Sequence, residues 1–172
     1  METGTKVIEG TAEVDQPITS YVFTGQGSQE PSMGMDLYAS SDIAKNIWDR
    51  ADSHMINTYG VSILDIVKNN PNSKTVHFGG PKGSRIREQY MSMMYDVLGA
   101  DGKIDSRPLF PDITATSSSF TFTHPAGLLS ATQFTQPALV LMEIASFQDM
   151  KANGLVQEDC PFAGHRYVLS QV

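Results

Sequence analysis

The sequence is poor in cysteine, in clustered basic residues and in long apolar runs, and each lack removes a class of function. Cys160 is the single cysteine among 172 residues, so an internal disulfide or a cysteine metal site has no partner to form with. The expectation for such a thiol is a small buried hydrophobe. The longest apolar run, around Pro137–Met142, is far too short to cross a bilayer. No basic stretch followed by an apolar segment opens the chain, so no signal peptide is read. With a net charge of −7 and no offsetting Lys/Arg cluster, a polyanion is repelled on average, which argues against a nucleic-acid partner. The histidines His54, His77, His124 and His165 do not fall at metal-ligand spacing, so no metal is expected. The resulting expectation is a soluble, cytoplasmic protein with no membrane contact.

What is present reads as globular. Hydrophobic residues make up 40% and charged residues 18%, enough apolar content to bury a core and too little charge for a disordered chain. The length fits one domain.

Met1–Ser20 shows little periodicity and reads as a lead-in or linker. Tyr21-Val22-Phe23 is a β-prone run that ends in Gly25-Gln26-Gly27-Ser28-Gln29, the pattern of a buried strand feeding a functional loop. Ser41 and Asp42 can cap a helix with Ile43, Ala44, Ile47, Trp48 and Ala51 on one stripe. Ser62-Ile63-Leu64-Asp65 resembles a capping box for a short helix ending near Asn69-Asn70-Pro71. Gly79–Gly83 reads as a loop. A helix is expected from Ser84, carrying Ile86, Tyr90, Met93, Met94 and Val97 and stopping at Gly99. Asp101–Pro111 reads as turns and Ile113–Phe122 as a strand. Thr135 is expected to cap a last helix, with Pro137 in its first turn, Leu139, Met142, Ala145 and Met150 along it, and Gly154 as its stop. Cys160–Ala163 reads as another short buried strand. Alternation of strands and helices indicates an α/β fold.

Two features carry chemistry. Glycines after a strand let backbone amides point into a pocket, as an oxyanion or other anion needs, although an ordinary strand-to-helix turn looks the same. The Gly25–Gln29 loop lacks the lysine of a Walker loop, so an unrelated nucleotide-binding reading finds little support in it. The second feature is Phe162-Ala163-Gly164-His165, a strand entering Gly-His as a nucleophile elbow does. The elbow's serine position holds Arg166, which stays protonated at neutral pH and cannot attack. Ser170 lies four residues on without the glycines of an elbow. The methionines, including Met91, Met93 and Met94, read as core filler.

The stretch Tyr21–Gln29, continued by Met33-Gly34-Met35-Asp36-Leu37-Tyr38, resembles the opening of malonyl-CoA:acyl-carrier-protein transacylase domains. Ala44–Asp52, Gly60–Val67, His77–Gly80 and Gly127–Leu139 resemble the fungal fatty acid synthase β subunit in particular. The resemblance runs from about Thr11 to His165. It implies an N-terminal portion of a malonyl/palmitoyl acyltransferase domain: a partial α/β-hydrolase-like subdomain with an incomplete parallel sheet, without the family's ferredoxin-like small subdomain. The domain would span residues 21–165, with 166–172 as a non-family tail. The family's serine takes an acyl group from a CoA thioester as a serine ester and passes it to the acyl carrier protein. By the same resemblance, the backbone amide of Gln26 is the oxyanion donor, and Gly25, Gln26, Gly27, Gln136 and His165 are substrate-binding positions. His165 matches the elbow's own histidine, not the general base, and Arg166 stands in the serine's place. CoA thioesters are then substrates and no cofactor is assigned to these residues; the flavin and nicotinamide of other synthase domains do not belong here. Expected partners are the acyl carrier protein and other synthase domains or subunits. The chain is expected to be inactive alone, with a non-catalytic assembly or CoA-binding role as the alternative. Arg166-Tyr167-Val168 is compatible with the codons AGG-TAT-GTN, in which AG precedes GTATGT, an intron-donor pattern. A serine codon split after AG would read as arginine if that intron were translated.

Overall fold

The computed structural model describes residues 19–99, 102–157 and 160–164. In chain order its elements are β1 (Tyr21–Phe23), α1 (Met35–Ser40), α2 (Asp42–Tyr59), α3 (Ile63–Asn69), β2 (Ser73–His77), α4 (Gly80–Ser92), β3 (Met94–Leu98), β4 (Ile104–Pro108), β5 (Ser119–Thr123), a single 3-10 turn (Leu128–Ser130), α5 (Thr132–Ala152) and β6 (Phe162–Gly164). Three two-stranded pairs result: β1 with β6 in parallel, and β2 with β5 and β3 with β4 antiparallel. This is the expected mixed α/β arrangement, in which β1·β6 is the parallel pairing among the described residues.

The caps explain where the helices begin and end. Ser41 accepts from the Ala44 N–H and opens α2, and the left-handed Gly60 closes it. Ser62 accepts from the Asp65 N–H, which is half of a capping box. The other half is absent, since Asp65 turns to Asn69 and Lys74. Asp52 of α2 takes up the remaining donors, accepting from Ser62 Oγ and the Leu64 N–H at 2.7 and 3.0 Å. At the end of α5, Gly154 at φ 70° lets its own N–H reach Lys151 O and the Leu155 N–H reach Met150 O, a Schellman closure.

The core is built on α2 and α5. Trp48 and Ala44 of α2 are fully enclosed with Ile63, Ile66 and Val67 of α3, Leu128, Leu129, and Phe134, Ala138 and Ala145 of α5. An aromatic cluster of Tyr90, Phe110, Phe120, Phe122 and Phe134 extends it under the β2·β5 pair, with edge-on contacts of 5.0 to 5.6 Å such as Tyr90–Phe110 and Phe110–Phe120.

Several sequence expectations need correction. α4 starts at Gly80, not Ser84, because Pro81 suits a first turn where no N–H is needed. It stops at Ser92: Met93 is extended and Met94–Leu98 forms β3, so the spacing of Met93, Met94 and Val97 served a strand. Its partner β4 occupies part of Asp101–Pro111, read as turns; Gly102 at φ 77° and the Gly99 N–H bonded to Lys103 O lie in the connection. Leu98 pairs with Ile104 and Met94 with Pro108, while Ser106 bonds to Asp96 across the pair. Within Ile113–Phe122 only Ser119–Thr123 is strand, because Ser117 closes a local turn by accepting from the Thr114 N–H. β2 went unread, its Ser-Lys-Thr start masking a pairing that buries Val76 and, across it, Phe122.

The cap assigned to Thr135 is also wrong. α5 begins three residues earlier after Ala131, and Thr135 sits inside it, donating to Leu129 O at 2.6 Å and satisfied without solvent. Pro137 is the sixth helical residue rather than a first-turn one. The strands β1 and β6 are not buried as expected: Val22 is 76% and Phe162 40% exposed, with α5 packed on one face of the pair. Cys160 is half-buried. Nearly all of Met1–Ser20 and of the 166–172 tail, with His165, Arg166 and Ser170, lies outside the described residues. No helix among the described residues is long and apolar enough to cross a membrane.

Candidate active site

The parallel register places Tyr21 opposite Phe162 and Phe23 opposite Gly164. The carboxyl ends of β1 and β6 therefore lie side by side, where parallel sheets hold ligands. The Gly25–Gln29 loop leaves from the first end. The chain that follows Gly164 leaves from the second. Thus the two segments singled out by sequence are brought together although 138 positions separate Gly164 from Gln26.

The loop is fixed largely by its own hydrogen bonds. Gly27 sits at φ 118°, a conformation that favours glycine, with open space around its Cα. Its N–H donates to Gln29 Oε1 at 2.7 Å. The Ser28 N–H and hydroxyl both reach Gly25 O, at 3.3 and 2.8 Å. The amides of Gly27 and Ser28 are thus engaged within the loop itself.

α5 anchors the loop from outside. Gln26 Nε2 donates to Thr132 Oγ1, the first residue of α5, at 3.0 Å. Gln136 lies one turn further on the same stripe as Thr132, half-buried. Two turns beyond, Glu143 Oε1 accepts from Thr24 Oγ1 at 3.0 Å, and Ser28 Oγ lies 3.0 Å from Thr24 Oγ1. Phe147 then stands edge-on to Tyr21 at 5.4 Å. α5 runs antiparallel to β1 and holds strand and loop at successive turns.

Glu143 was not read from the sequence. It is a carboxylate only 9% exposed, beside a recess of about 220 Å³ lined by Tyr21, Phe23, Thr24, Met142 and Phe147. The available signal was an acid flanked on both sides by apolar residues from Leu139 to Phe147. Of the sequence candidates, Gly25, Gln26, Gly27 and Gln136 converge on the ends of β1 and α5. His54 packs edge-on to Tyr59, His77 is exposed on β2, and His124 accepts from the Ala126 N–H; none of these three is bonded to the loop. Among the described residues no group of His, Cys, Asp and Glu is arranged to hold a metal ion.

Residues 20–167 match the acyl transferase domain family, and the chain belongs to that family. It is 63% identical over 164 residues, 95% of its length, to the fatty acid synthase subunit beta of Schizosaccharomyces pombe. It is 57% identical over 159 residues, 92% of its length, to the fatty acid synthase subunit beta of Saccharomyces cerevisiae. The chain spans about 8% of the length of each of these relatives. A solved malonyl CoA-acyl carrier protein transacylase from Clostridium perfringens superposes with a TM-score of 0.46 at 16% identity, over 84% of this chain and 27% of that one.

Proposed function

We propose that these residues form the loop-bearing part of the acyl-transfer site of a fatty acid synthase β subunit, which moves malonyl or long-chain acyl groups between CoA and acyl carrier protein through a serine ester. The observation that carries the reading is the adjacency of the Gly25–Gln29 loop to the end of β6, with Gln26 tied to Thr132. In this reading the Gln26 amide donates to the oxyanion of the tetrahedral intermediate, where a preorganised donor contributes most. Gly25 and Gly27 allow the close approach, Gln136 lines the substrate side of α5, and His165 follows β6 as the elbow histidine. These are cytoplasmic residues, and the acyl carrier protein and neighbouring synthase domains are the partners.

The nucleophile's position holds Arg166 in this sequence, and an elbow arginine forms no acyl ester. The chain by itself is therefore assigned no transferase turnover. Incubating the purified chain with radiolabelled malonyl-CoA tests this, with Ser170→Ala as control. Absence of covalent label is expected. A stable label that disappears in Ser170→Ala would identify Ser170 as a working nucleophile and overturn the assignment.

A second reading, a non-catalytic piece that assembles with synthase subunits, is favoured by the exposed outer face of the β1·β6 pair. Stoichiometric co-purification with an intact β subunit supports it; recovery of the chain free of synthase subunits speaks against it.

A further inference from the structure

Asn57 and Thr58 near the end of α2 and Lys82, Arg85 and Gln89 along α4 line a solvent-open recess of about 310 Å³. No residue of the Gly25–Gln29 loop and no carboxylate lines it. That composition is unusual in a chain of net charge −7. Lys82 Nζ donates to Asn57 Oδ1 at 2.9 Å, which commits the carbonyl of Asn57 and leaves its amide group as a donor. Arg85 makes no ion pair or hydrogen bond among the described residues, and Glu88, three positions on along α4, does not pair with it. Lys82 and Arg85 share one helix face three residues apart, a like-charge arrangement that disfavours a helix. The recess therefore gathers two cations, two side-chain amides and a hydroxyl without an anion to receive them.

We propose that this recess binds the phosphate group of a small phosphomonoester. Arg85 offers a planar fork suited to two phosphate oxygens, Lys82 a point charge, and Asn57, Gln89 and Thr58 the additional donors that fix orientation. Two positive charges match a phosphate dianion. At about 310 Å³ and open to solvent, the recess has room for an organic body beyond the phosphate.

The test is titration of the full chain, at constant ionic strength, with inorganic phosphate and with adenosine 5′-monophosphate, read on the side-chain amide resonances of Asn57 and Gln89. Saturable shifts are expected from both. Arg85→Gln and Lys82→Gln, each at a solvent-exposed position, are expected to weaken binding at least tenfold while the remaining resonances stay in place. Equal shifts from chloride, or unchanged affinity in the Lys82→Gln/Arg85→Gln double variant, would overturn the proposal. Tighter binding of an oligoglutamate peptide than of either phosphate would also overturn it, in favour of an acidic protein surface.

Discussion

Thr24 donates its hydroxyl to Glu143 Oε1 at 3.0 Å, joining the residue that opens the glycine loop to the middle of α5. Glu143→Ala removes a buried acceptor and leaves the hydroxyl of exposed Thr24 to water. A loss of about 0.5–1.5 kcal/mol is expected, the usual net contribution of one hydrogen bond. Glu143→Gln keeps an oxygen acceptor in place and is expected to lose less. Urea midpoints of the two variants check this, and an Ala variant as stable as the parent would show that the carboxylate braces nothing.

Gly83 lies in α4, where helix propensity alone predicts that alanine would gain about 1 kcal/mol. The structure reverses that sign. A Cβ on Gly83 would stand 2.3 Å from the Phe78 carbonyl carbon, and the obstacle is backbone, which cannot swing away. Gly83→Ala is expected to destabilise by about 1–3 kcal/mol, as overpacking does. A raised thermal midpoint would refute the close packing of α4 on Phe78.

Local signals were legible where one residue decides the outcome. Ser41 and Ser62 open their helices and Gly154 closes its own as their chemistry requires, and Tyr21–Phe23 is the strand before the loop. Signals failed where tertiary pairing chose between two periods. Met93, Met94 and Val97 fit a helix stripe as well as a strand, and only β4, ten positions on, makes them a strand. Thr135 has the chemistry of a cap, yet Thr132 and Gln133 precede it in the same helix. The loop half of the candidate site was readable because glycine spacing reports backbone conformation. Its brace by Thr132 and Glu143 was not, since those contacts span more than a hundred residues.

Asp65 is held below the usual carboxylate range, chiefly by the hydrogen bond from Asn69 and then by Lys74 at 3.0 Å. A depressed folded-state pKa contributes stability above the unfolded value, near pH 4, and that contribution disappears as pH falls through the folded value. Asp65→Asn is therefore expected to lower stability at pH 7 and to flatten the loss as pH falls below about 4. Both partners are about one-third exposed, so the effect is small. Parallel acid-unfolding curves for variant and parent would show that Asp65 does not contribute to the acid limb.

Tyr90 is pushed above the ordinary tyrosine range, first by burial and then by Tyr59, while its hydroxyl donates to Tyr59 O at 2.7 Å. The folded state keeps this proton after the unfolded chain has released its own, so stability falls as pH rises beyond about 10. Tyr90→Phe removes that titration together with one hydrogen bond. It is expected to unfold more readily at pH 7, by about 0.5–1.5 kcal/mol, and to show a shallower loss of stability above pH 10. Absorbance of ionised tyrosine during alkaline unfolding separates the two effects. Steeper loss in the variant would contradict the buried placement.

The β1·β6 pair gives the last expectation. Among the described residues each strand is three residues long and paired on one side, α5 covers one face, and Val22 projects from the other at 76% exposure. A two-stranded pair is marginal in water, and its open edges invite pairing with another chain. Concentration-dependent association is therefore expected in sedimentation velocity. Val22→Lys places a charge on the outer face without touching Phe147 or Glu143 on the α5 side, and it is expected to shift the boundary toward monomer. Because Lys at an edge opposes pairing through desolvation and repulsion, salt should partly restore association in the variant. A monomer at every concentration for the parent chain would mean that the exposed face is tolerated in solution, and that assembly with synthase subunits has to rest on another surface.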